Sequence, residues 1–317
     1  MHNILITGGA GFIGSHLCTE VLKTFEVNKL VALDNLMLGT EENLTHLSTD
    51  NRMELVIGDI NTPQLIDSLF EKHRFDLVFH LAANSDISIS HNSPSIDYDN
   101  TFNTTWNVLE AMRKYDCKRI VFASTSAIYG DVTENIHEDF GPLLPISHYG
   151  AGKLASEAFL SSFSYNYGIQ TYIFRFPNVV GGRSTHGVIY DFINKVKKNK
   201  EELTVLGNGQ QEKSYLHVSD LVNAILYLLQ HNSERYNIFN VGGIDTINVA
   251  RIAELVLEEL EEKRNIVFTG GDRGWIGDVP KFKYDIQKIL STGWKPVLSS
   301  EMAVRQTVRE LINSKTI

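Results

Sequence analysis

Three residues near the middle of the sequence have the types and the spacing to move a proton: Thr125, Tyr149 and Lys153. Tyr149 and Lys153 fall in "ISHYGAGK", one helical turn apart, so on a helix both side chains point the same way. The spacing Tyr-x-x-x-Lys is a weak signal by itself, and "YDIQK" repeats it at Tyr284 and Lys288. What sets the first pair apart is Thr125, which closes the apolar run "RIVFAST" ahead of it. A hydroxyl at a strand end can bond and orient the same substrate hydroxyl that a tyrosine deprotonates. The second pair has no such strand end before it and reads as a surface helix pair.

The elements that must position these residues follow a regular order. Short runs rich in Val, Ile, Leu and Phe at 3–7, 29–34, 52–59, 76–83, 119–125 and 171–176 read as buried strands. Helical periodicity falls between them at 12–24, 62–73, 94–115 and 149–167, the last placing Tyr149, Lys153, Glu157 and Leu160 on one face. Alternation of this kind predicts an α/β domain over 1–177 with a doubly wound parallel sheet. After residue 178 the rhythm changes to helices at 187–199, 218–230, 248–262 and 300–313 with strands at 203–206 and 236–241. Long Gly-rich and polar loops separate these elements, as expected for a smaller C-terminal substrate-binding lobe over 178–317.

"TGGAGFIG" follows the first strand and opens the first helix. Gly8, Gly11 and Gly14 have the spacing of a backbone that turns sharply and approaches a pyrophosphate, with the amides around Phe12 and Ile13 facing the anion. Asp34, with Asn35 beside it, ends the second strand, where a carboxylate accepts both ribose hydroxyls and repels a 2′-phosphate. The combination predicts NAD rather than NADP. Asp59 and Ile60 end the third strand, where the carboxylate either meets the adenine edge or caps its own loop. Leu81, Ala82 and Ala83 of "HLAA" let a cofactor lie against the backbone, or simply pack closely.

Ligands of open α/β sheets bind beyond the carboxyl ends of the strands, so Thr125, Tyr149 and Lys153 are expected to converge over the nicotinamide. A tyrosine with its ordinary pKa near 10 is a poor base at neutral pH. Lys153 and a positive nicotinamide ring favour the phenolate. A depression of about three units corresponds to roughly 4 kcal/mol, within reach of a desolvated cleft holding two cations.

Composition narrows the remaining classes. The chain has 317 residues, 43% hydrophobic and 21% charged, enough to bury a sizeable core. A formal net charge of −9 argues against a general nucleic-acid or anionic-membrane binder. Cys18 and Cys117 form no CxxC pair, so neither a disulfide framework nor a metal site is expected. The segment "MHNILIT" lacks the basic n-region of a signal peptide, and no apolar stretch is long enough to span a bilayer. The default expectation is the cytoplasm.

The series TGGAGFIG, Asp34, HLAA, STSAIYG and YGAGK resembles the extended short-chain dehydrogenase/reductase family, in its nucleotide-sugar branch, over essentially the whole chain. The resemblance implies a Rossmann-type domain carrying NAD, a C-terminal lobe for a nucleoside-diphosphate sugar, and a homodimer formed through the helices near 94–115 and 149–167. It implies Thr125, Tyr149 and Lys153 as the catalytic set, and Ser85, Thr125, Ser126, Asn178, Lys213 and Arg273 as substrate contacts.

In the 4,6-dehydratases of this family an Asp-Glu pair follows the catalytic Thr, and the UDP-glucuronate decarboxylases have a Glu two residues after it. Here the two positions are Ser126 and Ala127, neither of which exchanges a proton as a carboxylate does. That favours oxidation at C4 followed by reduction from the opposite face: NAD-dependent epimerisation. A 4-dehydrogenase or dehydratase is the enzymatic alternative, and a non-catalytic NAD- or sugar-binding regulator is opposed by the intact Thr, Tyr and Lys. The second lobe departs from the family pattern. Lys213-Ser214 replaces Arg-Asp, Trp275 stands where an arginine is expected with Arg273 two residues upstream, and His148 replaces a common proline. Lysine keeps a charge for a diphosphate but loses the planar fork.

Overall fold

Strands form where the sequence has apolar residues on both sides of the pleat, because a parallel sheet is covered on both faces. They are β1 (His2–Thr7), β2 (Val27–Asp34), β3 (Met53–Ile57), β4 (Leu77–His80), β5 (Arg119–Thr125), β6 (Gln170–Phe176) and β7 (Tyr236–Asn240). In the computed structural model, which describes residues 2–85, 93–132, 134–271 and 283–314, these strands build one seven-stranded sheet in the order β7-β6-β5-β4-β1-β2-β3. Ile4 of β1 lies opposite Leu30 of β2 on one side and Leu77 of β4 on the other, both pairings parallel. The chain leaves β3 and returns on the far side of β1, so strand order reverses between β1 and β4. Ligands of open α/β sheets bind beyond the carboxyl ends at such a point.

The chain divides into two compact units. The first comprises Met1–Gly130, Gly141–Arg175 and Ile225–Phe239, and the second Asp131–Phe140, Phe176–Ala224 and Asn240–Ile317. In the first, Leu5, Val31, Val78, Ile120 and Ile173 of the sheet share a core with Ile66, Leu69, Phe70, Val108, Met112 and Leu160 of the helices. The helix His148–Tyr167 starts where the Ser147 side chain accepts from the Gly150 amide at 3.0 Å and stops at Gly168, which takes the left-handed conformation.

Two elements differ from the sequence reading. The segment expected as one helix over 94–115 is a short turn at Ser95–Asp97, a π-helical stretch at Tyr98–Asn103 and a helix at Thr104–Lys114. Along it Thr101 Oγ1 donates to Asp97 Oδ1 at 3.1 Å, and Thr105 Oγ1 donates to the Thr101 carbonyl at 3.1 Å. The strand expected with the C-terminal lobe, at 236–241, instead closes the large sheet as β7. Its Asn237 side chain donates to the Thr171 carbonyl at 3.2 Å, and the Phe239 ring stacks near Phe174 with centroids 6.4 Å apart.

The second unit has its own core, from Ile189, Phe192 and Ile193 of Val188–Lys198, Ile252, Leu255 and Val256 of Val249–Glu259, and Val304, Val308 and Leu311 of Ser300–Asn313. Glu202–Val205 pairs in parallel with Asn265–Phe268, and Asn178–Val180 with Tyr215–His217. Tyr284 and Lys288 do not share a helix. Tyr284 lies in a two-residue strand, with its hydroxyl donating to Asn240 Oδ1 at 3.0 Å, and Lys288 belongs to Gln287–Ser291.

One buried ion pair ties the Tyr149 helix to the sheet. Arg175 of β6 donates from Nη2 and Nε to the Glu157 carboxylate at 2.6 and 3.0 Å, and from Nη1 to the Tyr129 hydroxyl at 2.9 Å. Ser124 of β5 donates to Glu157 Oε1 at 2.5 Å. Removing one partner strands the other charge away from water. Arg175→Ala should therefore lose about 3–5 kcal/mol in urea unfolding, and a Glu157→Met/Arg175→Met double variant should recover part of that loss. A loss below about 1 kcal/mol in the single variant would contradict the assignment of this pair as a structural tie.

Candidate active site

The glycine loop forms a cradle at the carboxyl end of β1. Gly8 has φ +70, and a Cβ there would stand 2.9 Å from the Ala82 amide nitrogen, so only glycine fits between β1 and the segment after β4. A Cβ on Gly14 would stand 2.0 Å from the Gly8 carbonyl oxygen. Gly11 is the N-cap of Phe12–Thr24 and offers no side-chain cap to the helix amides, and a Cβ there would meet only the Gly8 oxygen at 3.2 Å. Bare amides at a helix start beside glycines are the donor set that a pyrophosphate needs. Phe12 and Ile13 are half-buried at that start.

Asp34 ends β2 almost fully buried, its Oδ2 accepting from the Ala10 amide at 3.0 Å and Oδ1 from the Leu36 amide at 2.8 Å. Burial pushes its carboxyl above the usual range, opposed by the hydrogen bonds from the Leu36, Ala10 and Gly11 amides. Each oxygen keeps a lone pair for a ribose hydroxyl. These residues fit a dinucleotide. Asn35 is exposed and donates to Asp59 Oδ2 at 3.3 Å, while Asp59 Oδ1 accepts from the Asn61 amide at 2.8 Å, which caps its own loop. Ile60 is buried in the core. Leu81, Ala82 and Ala83 are half-buried, with the Ala82 amide donating to Thr7 Oγ1 at 3.3 Å, and Ser85 is exposed.

Thr125, Tyr149 and Lys153 come together at the end of β5. The Thr125 hydroxyl acts on the Tyr149 phenol to ease its ionisation, and accepts from the Ala127 amide at 3.1 Å. Gly150 allows this approach, since a Cβ there would stand 2.7 Å from the Ala127 carbonyl oxygen. Lys153 is 1% exposed; its Nζ donates to the Ala123 carbonyl of β5 at 2.7 Å and lies 4.6 Å from the Phe122 ring centroid and 5.9 Å from that of Tyr149.

Burial pushes the Lys153 ammonium down to about 7, while the charges of Glu157 and Asp97 raise it. The chain's own groups do not produce the expected depression at Tyr149. Desolvation first, then the Asp97 charge, raise its hydroxyl above the usual range, and only the Thr125 hydrogen bond lowers it. The physical reason is that burial strips the phenolate of the water that would stabilise it, and the Asp97 charge adds to that cost.

Sequence reasoning missed several groups around the pair. His80, fully buried at the end of β4, has Nδ1 2.7 Å from Thr7 Oγ1 and Nε2 3.0 Å from Thr105 Oγ1. Burial and the Lys153 charge push it down to about 3, so it is neutral at ordinary pH. Asp97 had no motif to mark it. The partner of Glu157 had one signal available, an arginine in the next strand, "TYIFRF", but spacing does not link them. Among the other expected substrate contacts, Ser126 is half-buried beside Thr125. In the second unit, Asn178 is half-buried opposite Tyr215, and Lys213 is half-buried opposite Ile247. Arg273 and Trp275 lie outside the described residues.

A family model described as the NAD dependent epimerase/dehydratase family matches residues 4–242. The UDP-glucose 4-epimerase of Halalkalibacterium halodurans is 32% identical over 80% of this chain and 78% of its own length. Among solved structures, a UDP-galactose 4-epimerase has a TM-score of 0.83 at 34% identity, covering 97% of this chain and 98% of that one. The UDP-glucose 4-epimerase of Thermus thermophilus, solved in complex with NAD, has a TM-score of 0.87 at 29% identity, covering 98% and 99%.

The buried carboxylate at position 34 predicts the cofactor that purified protein carries. Mass analysis of the nucleotide released by denaturation should find NAD, because a 2′-phosphate would meet the Asp34 charge at close range. Asp34→Ala should relax that choice. NADP as the main species in the unaltered protein would contradict the assignment.

Proposed function

The chain belongs to the NAD dependent epimerase/dehydratase family, and from that premise we propose that it epimerises a nucleoside-diphosphate sugar at C4 through a transient 4-keto sugar. The observation that carries this reading is the meeting of Thr125, Tyr149 and Lys153 at the carboxyl end of β5, beside a loop built for a dinucleotide. NAD, when bound, supplies the acceptor and donor of hydride that interconverts a C4 alcohol and a ketone. Tyr149 takes the O4 proton as the ketone forms and returns it to O4 on the other face. Thr125 orients O4 through its hydroxyl. Lys153, fixed on the Ala123 carbonyl, holds a positive charge against the developing phenolate.

Ala127 gives the reading its specificity. With no carboxylate at that position or at Ser126, nothing adjacent to Thr125 catalyses loss of the 6-hydroxyl, so the ketone is reduced again instead of dehydrated. The proposal extends to the lobe of residues 178–317 as the holder of the nucleotide sugar, and to Ser85, Thr125, Ser126, Asn178, Lys213 and Arg273 as its contacts. It places the enzyme in the cytoplasm as a homodimer. The dimer is supported by aromatic side chains left exposed on the two helical segments: Tyr98 at 61%, Tyr165 at 74%, and Trp106 and Phe159 at 37% each.

Products from a panel of UDP-, GDP-, CDP- and dTDP-sugars, followed by NMR, should include one C4 epimer. Tyr149→Phe should lower turnover by about 10²–10⁴ and leave substrate and cofactor binding nearly intact, since only a transferable proton is lost. Tyr284→Phe should retain near-normal turnover. Equal losses in the two variants, or no epimer from any sugar, would sink the reading.

A further inference from the structure

The short turn ahead of the π-helical stretch holds a carboxylate that the reaction as described does not use. Asp97 is 1% exposed, and its Oδ2 has no hydrogen-bond partner among the described residues. Its Oδ1 accepts from Asn84 Nδ2 and from Thr101 Oγ1, both at 3.1 Å, and neither donor is charged. Burying a carboxylate oxygen without a donor is unfavourable unless a charge nearby compensates it.

The backbone brings this group against the Tyr149 helix. A Cβ on Gly152 would stand 3.3 Å from the Asp97 carbonyl oxygen and 3.1 Å from Thr101 Cγ2. Gly152 lies between Tyr149 and Lys153, so its missing side chain lets the Asp97 turn close on the segment that carries both. The titratable groups facing the pair from the packed elements are few. From β4 comes His80, which is neutral. From the same helix comes Glu157, bound to Arg175 of β6 and to Ser124 of β5. From the turn before the π-helical stretch comes Asp97. It is the carboxylate there with no cation of its own among the described residues.

We propose that Asp97 is the counter-charge of the Tyr149–Lys153 pair, a positioning residue that keeps Lys153 protonated in a site shut off from water. The proposal rests on reading Tyr149 and Lys153 as the proton-transfer pair. The same charge makes Tyr149 harder to ionise, which matches the direction in which Asp97 acts on both groups. Removing it eases proton loss from each, so both titration steps move to lower pH.

The test compares Asp97→Asn with Asp97→Glu in the purified holoenzyme. NMR titration of lysine side chains carrying a carbon-13 label at Cε reads Lys153 directly, its signal assigned by loss in Lys153→Met. Its midpoint should fall by about one unit or more in Asp97→Asn and stay near the parent value in Asp97→Glu. The kcat/KM profile of Asp97→Asn should move as a whole to lower pH. Should Asp97→Asn fail to fold, Asp97→Ser makes the same comparison. An unmoved Lys153 midpoint, or equal shifts in the Asn and Glu variants, would overturn the proposal. A midpoint that moves in a protein that epimerises no sugar nucleotide would uphold the counter-charge and reject the epimerase reading. Turnover with an unmoved midpoint would do the reverse.

Discussion

An ammonium group with almost no contact with water governs this fold's chemistry. Lys153 is pinned by its Nζ to the Ala123 carbonyl, at the end of the strand that supplies Thr125. Burial makes it easier to deprotonate, down to about 7, against the opposing charges of Glu157 and Asp97 on two elements. The Tyr149 helix must therefore sit close to β5 and to the Asp97 turn at once. Gly150 and Gly152 make both approaches possible, each where a Cβ would meet backbone or side-chain atoms. The sequence "YGAGK" thus contains the packing requirement between the two chemical residues, and the glycines are as specific to the site as the tyrosine and lysine.

The second constraint is the price of burying Glu157 one turn further along. Arg175 and Ser124 satisfy it with charge-assisted hydrogen bonds, and Tyr129 accepts from Arg175 in turn, which fixes the helix against β5 and β6. Matched in this way, Glu157 is still the larger of the two negative charges acting on Lys153, and Asp97 adds to it. His80, neutral at ordinary pH, joins Thr7 of β1 to Thr105. Through Thr7, which also accepts from the Ala82 amide, the same hydrogen bonds reach the glycine loop. Ser156 of the Tyr149 helix donates to Thr105 at 3.1 Å, so one buried polar chain in the first unit links the glycine loop to that helix.

Much of this was legible in the sequence wherever local pattern decides structure. The glycine loop, Asp34 at a strand end and the Tyr149 helix follow from period, punctuation and spacing, and the strands of the first half read as uninterrupted apolar runs. What the sequence hid depends on contacts between distant residues. Strand β7 joins the large sheet because Asn237 and Phe239 find partners on β6, a pairing invisible to periodicity. The π-helical pitch at Tyr98–Asn103 leaves no mark in the periodicity. Asp97 lacks any motif, since its significance arises from burial beside a helix more than fifty residues on. Tyr284 and Lys288 show the converse, a correct spacing laid across a strand and a separate helix.

The central claim is that the ketone formed at C4 is reduced again within the same site without elimination. A nucleotide sugar deuterated at C4 and turned over in ordinary water tests it most directly. The account predicts that the C4 epimer keeps its deuterium at C4, and that the same reaction in heavy water places none at C5. Deuterium gained at C5, with loss of the 6-hydroxyl, would show a dehydratase and contradict the account.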